Sequence, residues 1–247
     1  MKQHTLINAH RPTAVLITVA LLLALLGGPL FAFEFGGTVE SETSLGDDGS
    51  RDWLEHSDRL ILYARGGDPE LADVLIRGSY EYTLDELYQF DLTTLRVAGT
   101  VPIQAAVTGA LGYSAGRFVL ADENRFLLSQ RVDGVSTQLD TAGVKIGLGA
   151  GYTGLLFADT AGLYLTETDV LNYDDDDIFG PQKILALAEV AFPEVIGRQT
   201  LRLSGVGQFD LRSELKNNEV RLHTYYPALF VDGPIAGDLF YTLGAAG

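Results

Sequence analysis

Most residues able to do chemistry in this 247-residue chain are single charges set into stretches where apolar and polar residues alternate. Arg77, Glu81, Asp91, Arg96, Arg117, Arg131, Asp133, Lys145, Arg202, Asp210, Arg212, Arg221 and His223 all stand in or beside such stretches. Arginines facing carboxylates across a water-filled space create a transverse field that orients and sorts solutes. The same residues can also simply neutralise one another. Either use requires that they face water, because an Arg or Lys on the lipid side at mid-bilayer costs about 2–4 kcal/mol.

Other chemistries find less support. Gly149-Ala150-Gly151-Tyr152-Thr153-Gly154 fits GxGxxG. A dinucleotide site, however, needs that motif to open a helix whose N-terminus holds pyrophosphate. Here it lies inside an alternating stretch, and Gly147, Gly149 and Gly151 share one face, leaving room for an opposing side chain. Asp174, Asp175, Asp176 and Asp177 form an acidic run that lacks the D-x-D-x-D-G spacing of a calcium loop, so a solvated loop is expected. Cys is absent, and beyond residue 32 only His56 and His223 remain as imidazoles. No catalytic residue, transition-metal site or cofactor is expected from this set. The net charge of −16 argues against a nucleic-acid partner.

The elements that position these charges read as strands. Val74, Ile76, Gly78, Tyr80 and Tyr82 fall on one face, and Leu75, Arg77, Ser79, Glu81 and Thr83 on the other. Residues 201–211 and 220–226 alternate in the same way, and helical spacing fits none of them. Strands are expected at 34–45, 56–65, 72–83, 88–101, 104–118, 129–140, 143–157, 183–193, 199–212, 219–231 and 236–247. Many exceed the usual soluble length of about 5–6 residues and match the roughly 9–11 needed to cross a bilayer at a tilt. The slip between Phe90/Leu92 and Leu95/Val97 predicts a β-bulge at Thr93-Thr94.

Short Gly- or Pro-bearing links are expected at 66–69, 100–102, 140–143, 192–194 and 232–234. They alternate with longer loops at 46–55, 84–87, 120–128, 158–182 and 213–218. Short turns on one rim and long loops on the other are the asymmetry of outer-membrane barrels. Aromatics from Tyr80 to Tyr241 cluster near strand ends, where interfacial girdles belong.

Ahead of the strands, Lys2 and Arg11 precede the apolar run 14–26, Gly27-Gly28-Pro29 breaks it, and Ala32 offers a cleavage site. This is the layout of a secretory signal peptide over residues 1–32, too short to span a bilayer. Residues 33–247 are then expected to form an all-β, antiparallel transmembrane β-barrel of the bacterial outer membrane. Its partners would be outer-membrane lipid and the barrel-assembly machinery. Eleven strands is odd for a single-chain barrel, and the chain stops within an alternating stretch, so an N-terminal fragment of a longer barrel is favoured over a miscounted strand.

Gly116-Arg117-Phe118-Val119-Leu120-Ala121-Asp122, followed by Ser129-Gln130-Arg131-Val132-Asp133-Gly134-Val135, resembles a hairpin of alginate-export-type outer-membrane porins, and residues 90–102 resemble the strand before it. The resemblance covers 88–140 well and the rest only in pattern. It implies a large barrel passing a small solute or carbohydrate passively past charged residues, with Arg117, Arg131 and Asp133 among them. Alginate itself is not carried over, because the chain is acidic and holds only 17 Lys and Arg. Two alternatives stand beside the porin: a non-conducting barrel acting through its loops, and a soluble secreted β-sandwich.

Overall fold

The computed structural model describes residues 33–47, 52–68, 72–83, 89–104, 108–156, 180–212, 221–236 and 238–247. The expected signal peptide and the acidic run 174–177 lie outside these. The described residues form one antiparallel sheet of eleven strands in simple sequence order. The strands are β1 (Phe33–Asp47), β2 (Asp52–Asp68), β3 (Ala72–Thr83), β4 (Gln89–Gln104), β5 (Thr108–Ala121), β6 (Ser129–Thr141), β7 (Lys145–Tyr152), β8 (Lys183–Ile196), β9 (Gln199–Asp210), β10 (Thr224–Ala236) and β11 (Leu239–Ala246). No helix occurs among the described residues. The sheet is open: β1 pairs only with β2, and β11 only with β10.

The eleven expected strands are present, and the bulge falls where the alternation slips. Arg77 pairs with Thr94 while Gly78 pairs with Leu92, so Thr93 is the extra residue. Its hydroxyl donates to the Arg77 carbonyl at 3.0 Å.

Four of the five expected short links are displaced: β2 continues through Gly66 and Gly67 to Asp68, still paired with β3, and the other three shifts each have a physical reason. β4 runs through Pro102 to Gln104, because beyond Ala98 it has no partner on the β3 side and a missing N–H is tolerated there. Pro193 and Glu194 lie in a bulge of β8 between Phe192 and Ile196. The turn itself is Gly197-Arg198, with φ of 56° and 71°, the positive pair that a two-residue type I′ hairpin needs. Likewise, β10 passes through Asp232, Gly233 and Pro234 with a register shift before Ala236. The link at 140–143 stands as expected, tied by Thr141, which bonds Val144 through both its backbone N–H and its hydroxyl.

The register gives the sheet two unlike faces. One carries Phe118 and Leu120 of β5, Val132 of β6, Leu185 and Leu187 of β8 and Val206 of β9, all buried and packed with Leu128. The glycines of β7 make this packing possible. A Cβ on Gly149 would strike Leu120, two strands away, and one on Gly151 would meet Val132 at 2.5 Å. The GxGxxG match is therefore a packing device. The opposite face is apolar and bare: Phe35, Val39, Leu62, Val97, Val135, Leu148, Leu203, Tyr225, Leu229 and Leu243 are all exposed. We call these the packed face and the bare face.

Two of the aromatics expected at the strand-end girdles are instead interior. Phe118 belongs to the packed cluster, and Phe230 is buried edge-on against Phe126, with centroids 5.8 Å apart.

Candidate functional site

Alternation along the strands carries Arg77, Glu81, Arg96, Lys145 and Arg202 to the packed face. On β2, β3 and β4 that face presents Arg65, Asp73 and Arg96. Arg65 Nε donates to Asp73 at 2.8 Å, and Arg96 approaches the other carboxylate oxygen at 3.8 Å. Arg77, exposed, shares the face, as does Glu81, which lies 3.7 Å from Arg59. Lys145, at the start of β7, sits 3.7 Å from Asp140 beside the short turn.

A cavity of ≈ 610 Å³ opens on this face. Its wall runs from Arg65 on β2 to Glu189 on β8 and includes Arg96, Lys145 and Glu123. Because one cavity touches strands six places apart in the sheet order, the packed face is the concave one.

The β5–β6 loop lies against this concavity. Asp122 builds it: its carboxylate accepts from the backbone N–H of Phe126, Leu127 and Leu128 at 3.1, 3.0 and 2.8 Å. The Asp122 N–H donates to the Leu128 carbonyl, and Arg125 takes a positive φ of 52°. The turn thus drives Leu128 into the packed cluster and lays Phe126 against Phe230 of β10. The next residue, Glu123, reaches Arg202 of β9 at 2.8 Å.

Arg202 is crowded by carboxylates. Only 5% exposed, it also lies 3.7 Å from Glu189 and 3.3 Å from Asp232. Glu189 accepts in turn from the Ser204 hydroxyl at 2.7 Å. Burying a guanidinium is tolerable only with compensating charge close by, and three carboxylates supply it.

The remaining predicted residues stand elsewhere. Arg117 and Asp133 are cross-strand partners on the bare face, flanked by Val119 and Val135. Arg117 Nη1 donates to Asp133 at 2.7 Å, its Nε to the Leu92 carbonyl and its Nη2 to the Leu156 carbonyl at 3.2 Å. Arg131 pairs with Val119 in the register and gives one guanidinium nitrogen to both oxygens of Asp91, at 3.0 and 2.8 Å. The hairpin that carries the porin resemblance therefore spends these charges on ties between strands. Asp210 is buried at the end of β9. It accepts from Arg212 Nε and Nη2 and from the N–H of Leu222, while Arg221 Nε donates to the Arg212 carbonyl. His223 precedes β10 and accepts from the Asp210 N–H at 3.3 Å. These four close one rim of the sheet, away from the cavity lining.

The predicted set does not contain Arg65, Asp73, Glu123, Glu189 or Asp232. The alternation that selects Arg77 and Arg202 also places Asp73 and Glu189 on the same face, so that signal was present for those two. Glu123 carries no such signal, because its position depends on how Asp122 folds the loop.

No family model, curated protein or solved structure matches the chain.

Proposed function

We propose that this sheet is the wall of a porin-like β-barrel of a bacterial outer membrane, and that small solutes or oligosaccharides cross it passively through a charged lumen. The observation that carries this reading is the contrast between the faces. Exposed apolar side chains continue from Phe35 on β1 to Leu243 on β11, interrupted by the ties of Arg117 and Arg131, while the cavity lined by charged side chains lies on the concave side. A sheet in water would have to cover so large an apolar face; lipid covers it at no cost. Strands of 12 to 17 residues at β2 and β3 have the length that a tilted crossing requires. On this reading residues 1–32 direct export, the barrel-assembly machinery inserts the strands, and the resemblance to alginate-export-type porins is one of fold and passive transport. No catalysis is assigned to it.

The full chain, folded into planar bilayers, should give stepwise conductance; complete silence overturns the channel. A second reading has its own observation. The loop at 122–128 and the cluster around Leu128 fill part of the concavity, as a plugged barrel acting through its outer loops would require. Swelling of protein-loaded liposomes in small sugars separates the two, since a plugged barrel gives none.

A further inference from the structure

The charges lining the cavity are not balanced where they stand. On the β2–β4 side two guanidiniums, Arg65 and Arg96, share the carboxylate of Asp73 within the lining, while Glu34 faces Arg65 from β1 outside it. Among the described residues the buried Arg96 Nε has no hydrogen-bond acceptor, and neither have Nε and Nη1 of Arg202. On the opposite wall Glu123 and Glu189 line the space with Lys145, whose ammonium lies 3.7 Å from Asp140, and behind the lining Glu123, Glu189 and Asp232 surround the one guanidinium of Arg202. Arg65, Arg96, Glu123 and Glu189 all line the same ≈ 610 Å³ space. That volume falls within the range of small-molecule sites, roughly 300–1,000 Å³.

We infer that this cavity is a binding site for a dipolar solute, one that carries a carboxylate and an ammonium group on a short chain. The carboxylate docks at Arg65 and Arg96, and the ammonium at Glu123 and Glu189. The inference deepens the channel reading and rests on it for the solute's way in, but the site itself does not depend on conduction.

The choice of ligand follows from the field. A simple anion is attracted by the arginine side and repelled by the acidic side, and a simple cation meets the reverse. A neutral sugar gains from neither beyond ordinary hydrogen bonds. Only a molecule bearing both charges lowers its energy at both walls, and the low-dielectric walls concentrate the field between them. Charge-assisted hydrogen bonds, at about twice the strength of neutral ones, fix its orientation.

The test is calorimetric titration of the full chain folded in detergent, with the ω-amino acids from β-alanine to ε-aminocaproate. Caproate, hexylamine and glucose serve as single-charge and neutral controls. One member of the series should bind about tenfold tighter than every control. Arg65→Gln and Glu123→Gln, both at half-exposed positions, should each remove about that factor; far-UV circular dichroism confirms that they fold. Equal binding of caproate, hexylamine or glucose overturns the inference, as does no binding by any of the series. Conductance measured on the same preparation keeps the two readings apart. Channels with no dipolar preference sink only this site, whereas the preference without channels upholds the site and sinks the porin.

Discussion

Arg117 and Asp133 face each other across β5 and β6 at one register position, 2.7 Å apart, on the largely apolar face and next to Arg131. The pair is tolerable there because every arm of the guanidinium is used. Asp133 takes one, and the carbonyls of Leu92 and Leu156 take the others. Removing one partner leaves a charge with nowhere to go. Asp133→Asn should therefore cost about 3–5 kcal/mol, read as a shift of the urea midpoint in folded vesicles. The double change Arg117→Met, Asp133→Leu should recover most of the loss. A single variant as stable as the parent contradicts the account.

The glycines of β7 and β9 give a sharper contrast. Gly149→Ala drives a methyl into Leu120 and should cost about 1–3 kcal/mol, as overpacking does, with Leu120→Val restoring part of it. Gly205→Ala meets nothing within 4 Å and should be neutral or slightly stabilising. Thermal unfolding of both variants side by side is sufficient; similar losses would mean that β7 is not packed against Leu120.

Asp122 holds its loop through three N–H groups, so Asp122→Ala should release residues 122–128 from the concave face while the strands stay paired. If the sheet lines a channel as proposed, the expected result is an increase in single-channel conductance with unchanged far-UV circular dichroism. Asp122→Asn, which keeps an acceptor oxygen, should fall between. A decrease, or no change in either variant, would show that the loop does not narrow the passage.

The bare face makes a prediction about lipid. Leu148→Arg and Leu203→Arg should each lose about 2–4 kcal/mol in vesicles if the positions sit at mid-bilayer. Gln138→Arg, on the concave side of β6, should lose far less. Equal tolerance at all three sites would argue for a sheet with water on both sides.

The strands were legible in the sequence because alternation repeats over ten or more residues and survives errors at either end. The Thr93 bulge was legible for the same reason: a slip in a two-residue period is visible on both sides of it. Turns were harder. Pro102, Pro193 and Pro234 read locally as stops, yet each lies within a strand, at an unpaired edge or a bulge, where the lack of an N–H costs nothing. Arg117 and Asp133 were identifiable as important charges, but which face they take depends on which side of β5 packs. Gly112, Ser114 and Gly116 hide that side by having almost no side chain. The group around Arg202 draws on β8, β9, β10 and a loop, a convergence that no local spacing encodes.

The docking of the β5–β6 loop also orders events in time. Glu123 and its acceptor Glu189 lie 66 residues apart, and Phe126 waits on a ring of β10 that the chain supplies later still. Contacts of such separation form slowly, since the intervening chain must first be confined. The hairpin can zip at once, but its tip has nowhere to dock until four further strands have been laid alongside. Docking of this loop on the packed face is thus a late step of assembly, and until then that part of the concave side stays open to water.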